Sequence, residues 1–507
     1  MNVKKFLLNG GLATLLLAFT SLSVASCGDS STEDDGSNNN SSQNDDDDDD
    51  DDDDDSTSGP TYPGVSDDQE TPDRGDESWV ATIDATDYYG RKLSKVFYDL
   101  KMSAGGIGSA TKAETIFVNA NMNGVRISIF GNDDNPAHPS AGVVDGSYYE
   151  KTLASIAYAK AARGSNEFIV FASKKLTGST SFPDWTIDSS GYVQAEPYSV
   201  MLFDYIKYMD SQGVTIDVLG IDNEIEWNKA NITPSVHYNV VTKLKVLLEE
   251  AGLPIPQFIG PERYVLNASA IAWSEEFFNN ATYNPTIDIY GMHYYPEQRK
   301  WYSNLLHDLE LKGDREFWAT EPHWNAMGKE AVAGDFYGYC EYTIGAIWDQ
   351  TDNGCDNLIW WSYDGSDTRA ALIQAITLPI FGAQPVMVVD HDGFSMRDGD
   401  SDTTVNGRGW LHTRAFRNGS TLILYVLNTC AETDVATLGK EYTNYEFTLE
   451  DGAKFTGIKA TQQQWYDGVE DEVNGETSYI DVYNSKSIFL NIPKRSFTMI
   501  KLAISNS

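Results

Sequence analysis

Two short carboxylate motifs carry the chemistry that this chain offers. One is Ile221-Asp222-Asn223-Glu224-Ile225-Glu226-Trp227; the other is Ala319-Thr320-Glu321-Pro322-His323-Trp324. In each, a Glu stands at the end of an apolar run, where burial is costly for a carboxylate. In each it also has Trp neighbours: Trp227 in the first case, Trp318 and Trp324 in the second. Residues 79–507 hold 55 Asp+Glu, so it is the setting of these two that singles them out. Two opposed carboxyls, one protonated and one ionised, are what cleavage of a glycosidic bond needs. The acid protonates the leaving oxygen and the carboxylate attacks the anomeric carbon. Apolar rings raise the pKa of the acid, and cationic or hydrogen-bonding neighbours keep the nucleophile ionised. Asp222 and Glu226 share the first motif, and the residues alone leave open which of the three acts.

Such a pair needs a scaffold that brings both groups to one rim. From residue 79 the chain reads as repeated strand–helix units. Strands are expected within 94–104 and at 125–130, 168–173, 214–221, 257–260, 287–293, 316–321 and 357–362. Helices are expected at 109–121 (with Ser109 as N-cap), 147–163, 198–211, 236–251 (ended by Gly252), 269–280, 301–311, 334–348 and near 368–378. The strands are continuous apolar runs, the pattern of parallel strands buried on both faces. Eight such units over about 300 residues make an α/β fold of the (β/α)₈ TIM-barrel type, whose active site lies at the C-terminal ends of the strands. There the pattern places Arg126, Asn223, Glu224, His293, Tyr294, Tyr295, Glu321 and Trp361. Trp185, Trp227, Trp324 and Trp361 offer faces on which a sugar could stack.

From about residue 384 the pattern changes to short strand candidates at 410–415, 420–427, 444–449, 478–482, 487–490 and 498–502, with turns such as Asn418-Gly419 between them. This predicts a β-sandwich over 385–507, to which 79–98 can add strands. The barrel is expected over 79–384.

The two Glu motifs resemble those of the retaining glycosidases of clan A, a large (β/α)₈ superfamily. There the acid/base is the Glu of an Asn-Glu pair after strand four, and the nucleophile is a Glu ending strand seven. The resemblance implies that Glu224 is the acid/base and Glu321 the nucleophile. It also implies that Asn223 binds the 2-hydroxyl of the cleaved sugar, that Arg126 steadies Glu321, and that Tyr294 or Tyr295 sits nearby. Within the clan the chain is most similar to glycoside hydrolase family 30, whose members join such a barrel to a β-sandwich. The stretch 168–185, with Ser173 and Pro183-Asp184-Trp185, resembles that family's third strand and loop. One departure is Ile225, where the family usually has Pro.

The N-terminus reads as an address. Lys4 and Lys5 precede an apolar stretch at 6–19 that is short and interrupted for a spanning helix. Val24-Ala25-Ser26-Cys27 resembles the lipobox of bacterial lipoproteins, which implies a signal peptide at 1–26 and acylation of Cys27. Residues 28–78 hold 21 Asp+Glu, 11 of them in the run 45–55, and one Arg. With too few apolar side chains to offset ordering entropy, 27–78 is expected to be a disordered, self-repelling spacer. Acidic residues soon after such a Cys resemble the surface-export signal of Bacteroidetes lipoproteins. That implies an outer-membrane location, facing the exterior.

The formal net charge is −40, and 33 Lys+Arg face 55 Asp+Glu in 79–507. This argues against nucleic-acid binding. No phosphate loop or dinucleotide fingerprint appears, and no cofactor is expected. His293 and His323 lack a third partner at ligand spacing, so no metal is expected. Asp398-Gly399-Asp400-Ser401-Asp402 imitates the start of an EF-hand loop but lacks its Gly and Glu further on, and reads as a polar turn. Cys340, Cys355 and Cys430 leave an odd thiol. The expected protein is a monomeric surface lipoprotein that cleaves a β-linked glycan with retention. A glycan-binding lipoprotein on a hydrolase-like barrel is the alternative from another class. A clan A endo-hydrolase of another family, such as an agarase or porphyranase, is the alternative from the same class.

Overall fold

The computed structural model describes residues 79–507 apart from 102–105, 132–135, 177–180, 225–231, 265, 267, 323–335, 362–372, 391–410, 429–443, 451, 467–473, 483 and 507. The signal peptide, Cys27, the spacer, Ile225, Glu226, Trp227, His323, Trp324, the 398–402 turn and Cys430 lie outside the described residues. Among those described, the Cys355 thiol is buried and free. No described helix is long and apolar enough to cross a membrane.

The first strand, β1 (Trp79–Tyr88), belongs to the second half of the molecule. The barrel follows as β2 (Lys95–Asp99), β3 (Gly124–Ile129), β4 (Ile169–Lys174), β5 (Val218–Gly220), β6 (Gln257–Arg263), β7 (Ile289–Met292), β8 (Glu316–Ala319) and β9 (Cys355–Ile359). Each pairs in parallel with the next and β2 closes on β9. All eight expected strands form, within a few residues of their expected bounds. Ser109 accepts from Lys112 N as expected of an N-cap, and Gly252 closes Pro234–Ala251 at φ +66°. The helix expected over 109–121 tightens to Ala110–Glu114 and continues as a wider turn, Thr115–Asn119.

The barrel interior is filled from alternate strands, as the geometry of eight tilted strands requires. Phe97, Phe171, Ile259 and Trp318 come from one set, and Val218, Ile289 and Ile359 from the other. A Cβ on Gly124 would stand 2.5 Å from the Phe97 ring, so Gly is what lets that ring into the layer. Because the side-chain period is two, the next inward residue on each strand lies one layer nearer the C-terminal mouth. This is how Phe97 leads to Asp99, Gly124 to Arg126, Phe171 to Ser173, and Ile289 through Gly291 to His293.

The rest is one ten-stranded sheet built from β1 with β10 (Gln384–Asp390), β11 (Leu411–Asn418), β12 (Thr421–Asn428), β13 (Asn444–Leu449), β14 (Ala453–Phe455), β15 (Lys459–Tyr466), β16 (Glu476–Asp481), β17 (Ser487–Asn491) and β18 (Ser496–Asn506). β14 pairs with β18, and its Phe455 N donates to Ser485 O just before β17. The two ends of the sheet are thereby drawn together around a single core, as in a sandwich. Of the segment 79–98, the part 79–88 joins this sheet and 95–98 joins the barrel.

The sequence reading misses β10, β14 and β15. In β15 the inward Gln462 and Gln464 are buried, and Gln464 is satisfied by Thr498 Oγ1 at 3.1 Å; polar inward residues erase the apolar alternation. The outer face of the sheet packs on the barrel. Phe416, Tyr425, Trp465, Phe497 and Met499 share the barrel's outer core, and Tyr425 donates to Ile376 O at 3.0 Å. Beside them Arg414 Nε meets Asp352 Oδ2 at 2.9 Å, and its guanidinium lies over the Trp348 ring.

Candidate active site

Glu321 follows β8 and is almost fully buried. Its Oε1 accepts from Arg126 Nη1 at 2.6 Å and from Lys101 Nζ at 2.9 Å. Its Oε2 accepts from Tyr295 OH at 2.9 Å and lies 3.3 Å from His293 Nδ1. Burial alone would push this carboxyl up. The charges of His293, Lys101 and Arg126 outweigh burial and hold it well below the ordinary carboxylate range. The surrounding cations therefore favour Glu321 as the anion.

Glu224 faces it from the end of the β5 segment. Its side chain keeps some exposure, 19% against 3% for Glu321, and its Oε1 lies 3.3 Å from His293 Nδ1. An oxygen of Glu224, a ring nitrogen of His293 and an oxygen of Glu321 all lie within 4.8 Å of one another. The backbone at Glu224 is left-handed, with φ +52°, an arrangement that only local contacts sustain for a non-glycine residue. Its N–H is held by Glu262 O at 2.9 Å, and Glu262 is itself left-handed, with φ +47°. Asp222 is buried and takes the Asn223 N–H at 2.8 Å, shaping the turn. Among the described acids of this motif, Glu224 is the one aimed at Glu321.

Below the pair lies a polar layer. Arg126 Nη2 reaches Ser173 Oγ and Glu262 Oε1, each at 3.3 Å, and Asn223 Oδ1 at 3.5 Å. Lys101 Nζ also donates to Asn223 Oδ1. Ser173 Oγ donates to Glu262 Oε2 at 2.9 Å. Burial opposes ionisation of Glu262, but Arg126 and His293 win and its carboxyl is lowered. For His293, burial opposes the charged form, yet Glu321, Glu224 and Glu262 raise its pKa. For Lys101, burial and the charge of Arg126 lower the pKa, with Glu321 and Glu262 opposing. The result is alternating charge packed in the barrel mouth.

Linkage gives His293 a measurable signature. Its folded pKa is above the usual 6.5, so its stabilising effect is complete below pH 6.5 and is lost as pH rises through the folded value. The melting temperature of the wild type is expected to fall on that alkaline side. In His293→Gln that fall disappears. Parallel melting curves for the two proteins from pH 6 to pH 9 would sink the assignment.

Six of the expected site residues come together: Arg126, Asn223, Glu224, His293, Tyr295 and Glu321. Tyr294 does not join them. The one-residue alternation turns it outward into the helix layer, where its OH donates to Asp349 Oδ2 at 3.0 Å. Trp185, half-buried on the turn Asp184–Thr186, packs on the barrel's outer core with Nε1 donating to His138 O at 2.9 Å. None of its described contacts is with the carboxylate pair. Trp361 is half-buried, and its N–H donates to Pro322 O at 3.0 Å, tying the end of β9 to the residue after Glu321.

The sequence reading passes over Lys101 and Glu262. Lys101 could be found from Phe97-Asp99-Lys101, a period-two series running up one strand. Glu262 is hidden by Pro261, which reads as a strand end because it donates no ladder bond. β6 instead runs on through a register irregularity between Pro261 and Arg263. A Cβ on Gly220 would lie 2.1 Å from Glu262 Oε2, so that glycine makes room for the carboxylate.

The trio Glu224, His293 and Glu321 has the spacing of a cation site, but its chemistry suits one poorly. Two cationic side chains already neutralise Glu321, and the proton favoured on His293 takes up the lone pair a metal needs.

No family model matches the chain, and no curated protein does. Solved structures do match. A GH30 endoxylanase from Clostridium papyrosolvens C71 is 17% identical with a TM-score of 0.56, over 83% of this chain and 99% of that one. A GH51 arabinofuranosidase from Xanthomonas axonopodis pv. citri is 9% identical with a TM-score of 0.55, over 84% and 99%. An endo-β1,6-glucanase is 12% identical with a TM-score of 0.50, over 84% and 94%. The fold is that of the barrel glycoside hydrolases. At these identities the likeness speaks for fold.

Proposed function

We propose that the chain is a retaining glycoside hydrolase acting on a β-linked glycan. One observation carries this reading: oxygens of Glu224 and Glu321 lie within 4.8 Å of each other, and Glu321 is held as an anion. Retaining enzymes keep their carboxyls about 5–5.5 Å apart, whereas inverting enzymes need roughly 6.5–9.5 Å to admit a water. The short gap between the nearest oxygens supports the retaining arrangement.

In the first step Glu321 Oε attacks the anomeric carbon while Glu224 gives its proton to the departing oxygen. A glycosyl ester on Glu321 results. In the second step Glu224, now a carboxylate, takes a proton from a water that attacks the same carbon and releases Glu321. Two inversions amount to retention. Arg126 and Lys101 hold Glu321 in place and stabilise it again as it leaves. Asn223, anchored by Lys101, would bind a hydroxyl of the cleaved sugar, as the clan A resemblance implies. The barrel preceded by one sandwich strand and followed by nine fits the family 30 resemblance, and Ile225 departs from it.

Retention is tested by proton NMR of the first product formed from neutral β-glucans, xylans, galactans and algal galactans. Initial release of the β-anomer is expected, and initial release of the α-anomer would rule out the double displacement. The leader motif supports a place on the outer face of the outer membrane, tethered at Cys27. Labelled palmitate should enter the wild type and not Cys27→Ala. Equal labelling of both would remove the anchor.

A further inference from the structure

A second cleft, of about 310 Å³, opens at the seam between barrel and sandwich. Its polar lining is Asn119, Asn121, Gln374, Gln463, Asn474 and Lys501, with half-buried Phe381 as one wall. Residues 119–121 lead into the N-terminal end of β3, and Gln463 and Lys501 come from β15 and β18. The catalytic groups stand at the C-terminal ends of the strands, so this cleft lies at the other end of the barrel.

Its chemistry is unusual for this chain. Residues 79–507 carry 55 Asp+Glu, yet among the described residues no carboxylate lines the cleft. Five carboxamides do. Each carboxamide both donates and accepts, which complements a sugar ring whose neighbouring hydroxyls do the same. The side chains of Asn119, Gln374 and Lys501 make no hydrogen bond or ion pair with other described residues, so their capacity is unspent. A single ammonium is too little to hold a phosphate-rich ligand. The volume is at the lower end of the range for ligand sites, enough for one or two sugar rings.

We propose that this cleft is a second glycan-binding site, gripping one or two units of a neutral polysaccharide away from the point of cleavage. The choice of a glycan rests on the proposed hydrolase reading. Holding the polymer at a second point raises the local concentration of its other segments at the barrel mouth.

The test uses the full-length protein carrying Glu321→Gln, titrated calorimetrically with xylohexaose, cellohexaose, laminarihexaose and β1,6-linked glucohexaose. Two sites per chain are expected for at least one of these. Adding Gln374→Ala with Lys501→Ala should weaken one site by about ten-fold or more and spare the other. Both side chains are exposed, so melting temperature should not move; if it does, Gln374→Trp, which fills the cleft, replaces the pair. Saturation at one site that the added changes leave untouched overturns the proposal, as does no binding of any probe. If the wild type cleaves nothing but one bound probe is lost with Gln374 and Lys501, the hydrolase reading falls and the cleft stands. Cleavage by the wild type, together with binding that the Gln374 and Lys501 changes leave unaltered, has the opposite meaning.

Discussion

Glu321→Gln is expected to abolish turnover, by roughly 10⁴- to 10⁶-fold, the range lost when a covalent nucleophile is removed. The amide conserves volume and can still accept from Arg126 and Lys101, so the barrel should remain folded. It cannot form the glycosyl ester. It also removes the anion that His293, Lys101 and Arg126 surround, leaving Glu262 and Asp99 to balance three cationic groups. Reducing-end release from the glycan panel, run beside the wild type, measures the loss. Circular dichroism confirms the fold. Full activity in the folded variant would refute the nucleophile assignment.

Glu224→Gln should depend on what leaves. A sugar leaving group needs a proton as its bond breaks, and general acid catalysis contributes about 10²- to 10⁴-fold. The kcat/KM for a natural glycan should fall by that order. An aryl glycoside with an acidic phenol departs unaided, so its kcat/KM should change little. Its kcat should still fall, because hydrolysis of the glycosyl–Glu321 ester needs Glu224 as base. Equal losses of kcat/KM on both substrates would count against the acid/base role. The same split would not follow from loss of packing, since Glu224 keeps partial exposure and its described side-chain contact is with His293.

These predictions draw on features with very different visibility in the chain. The eight barrel strands are legible because parallel strands buried on both faces leave long apolar runs, and their caps and stops at Ser109 and Gly252 act through local backbone geometry. Glu321 is legible because a charged residue ending an apolar run is costly and so conspicuous; in the other motif the run marks Asp222, Glu224 and Glu226 alike, and the clan A resemblance singles out Glu224. Lys101 and Glu262 are harder to see. Each needs an exact register, since one residue of slip would turn it from the barrel axis to the helix layer. Tyr294 and Tyr295 show the same limit: adjacent in sequence, they end on opposite faces, one on Asp349 and the other on Glu321.

By itself, then, apart from the choice of Glu224 over Asp222 and Glu226, which the clan A resemblance implies, the chain's pattern determined a (β/α)₈ barrel with an attached β domain and placed Arg126, Asn223 and Glu321 at its rim. Local rules suffice for that, because period, caps and apolar runs are written in neighbouring residues. Tertiary structure alone decided how the rim is charged. Lys101, Arg126, His293, Glu262 and Glu321 come from five strands or strand ends far apart in sequence, and only barrel closure brings them within 4 Å. It also decided that β1 leaves its sequence neighbours to pair with β10 and β13, and that a carboxamide-lined cleft opens where the two halves meet. Burial and distance set these electrostatics, and neither exists until the chain has folded.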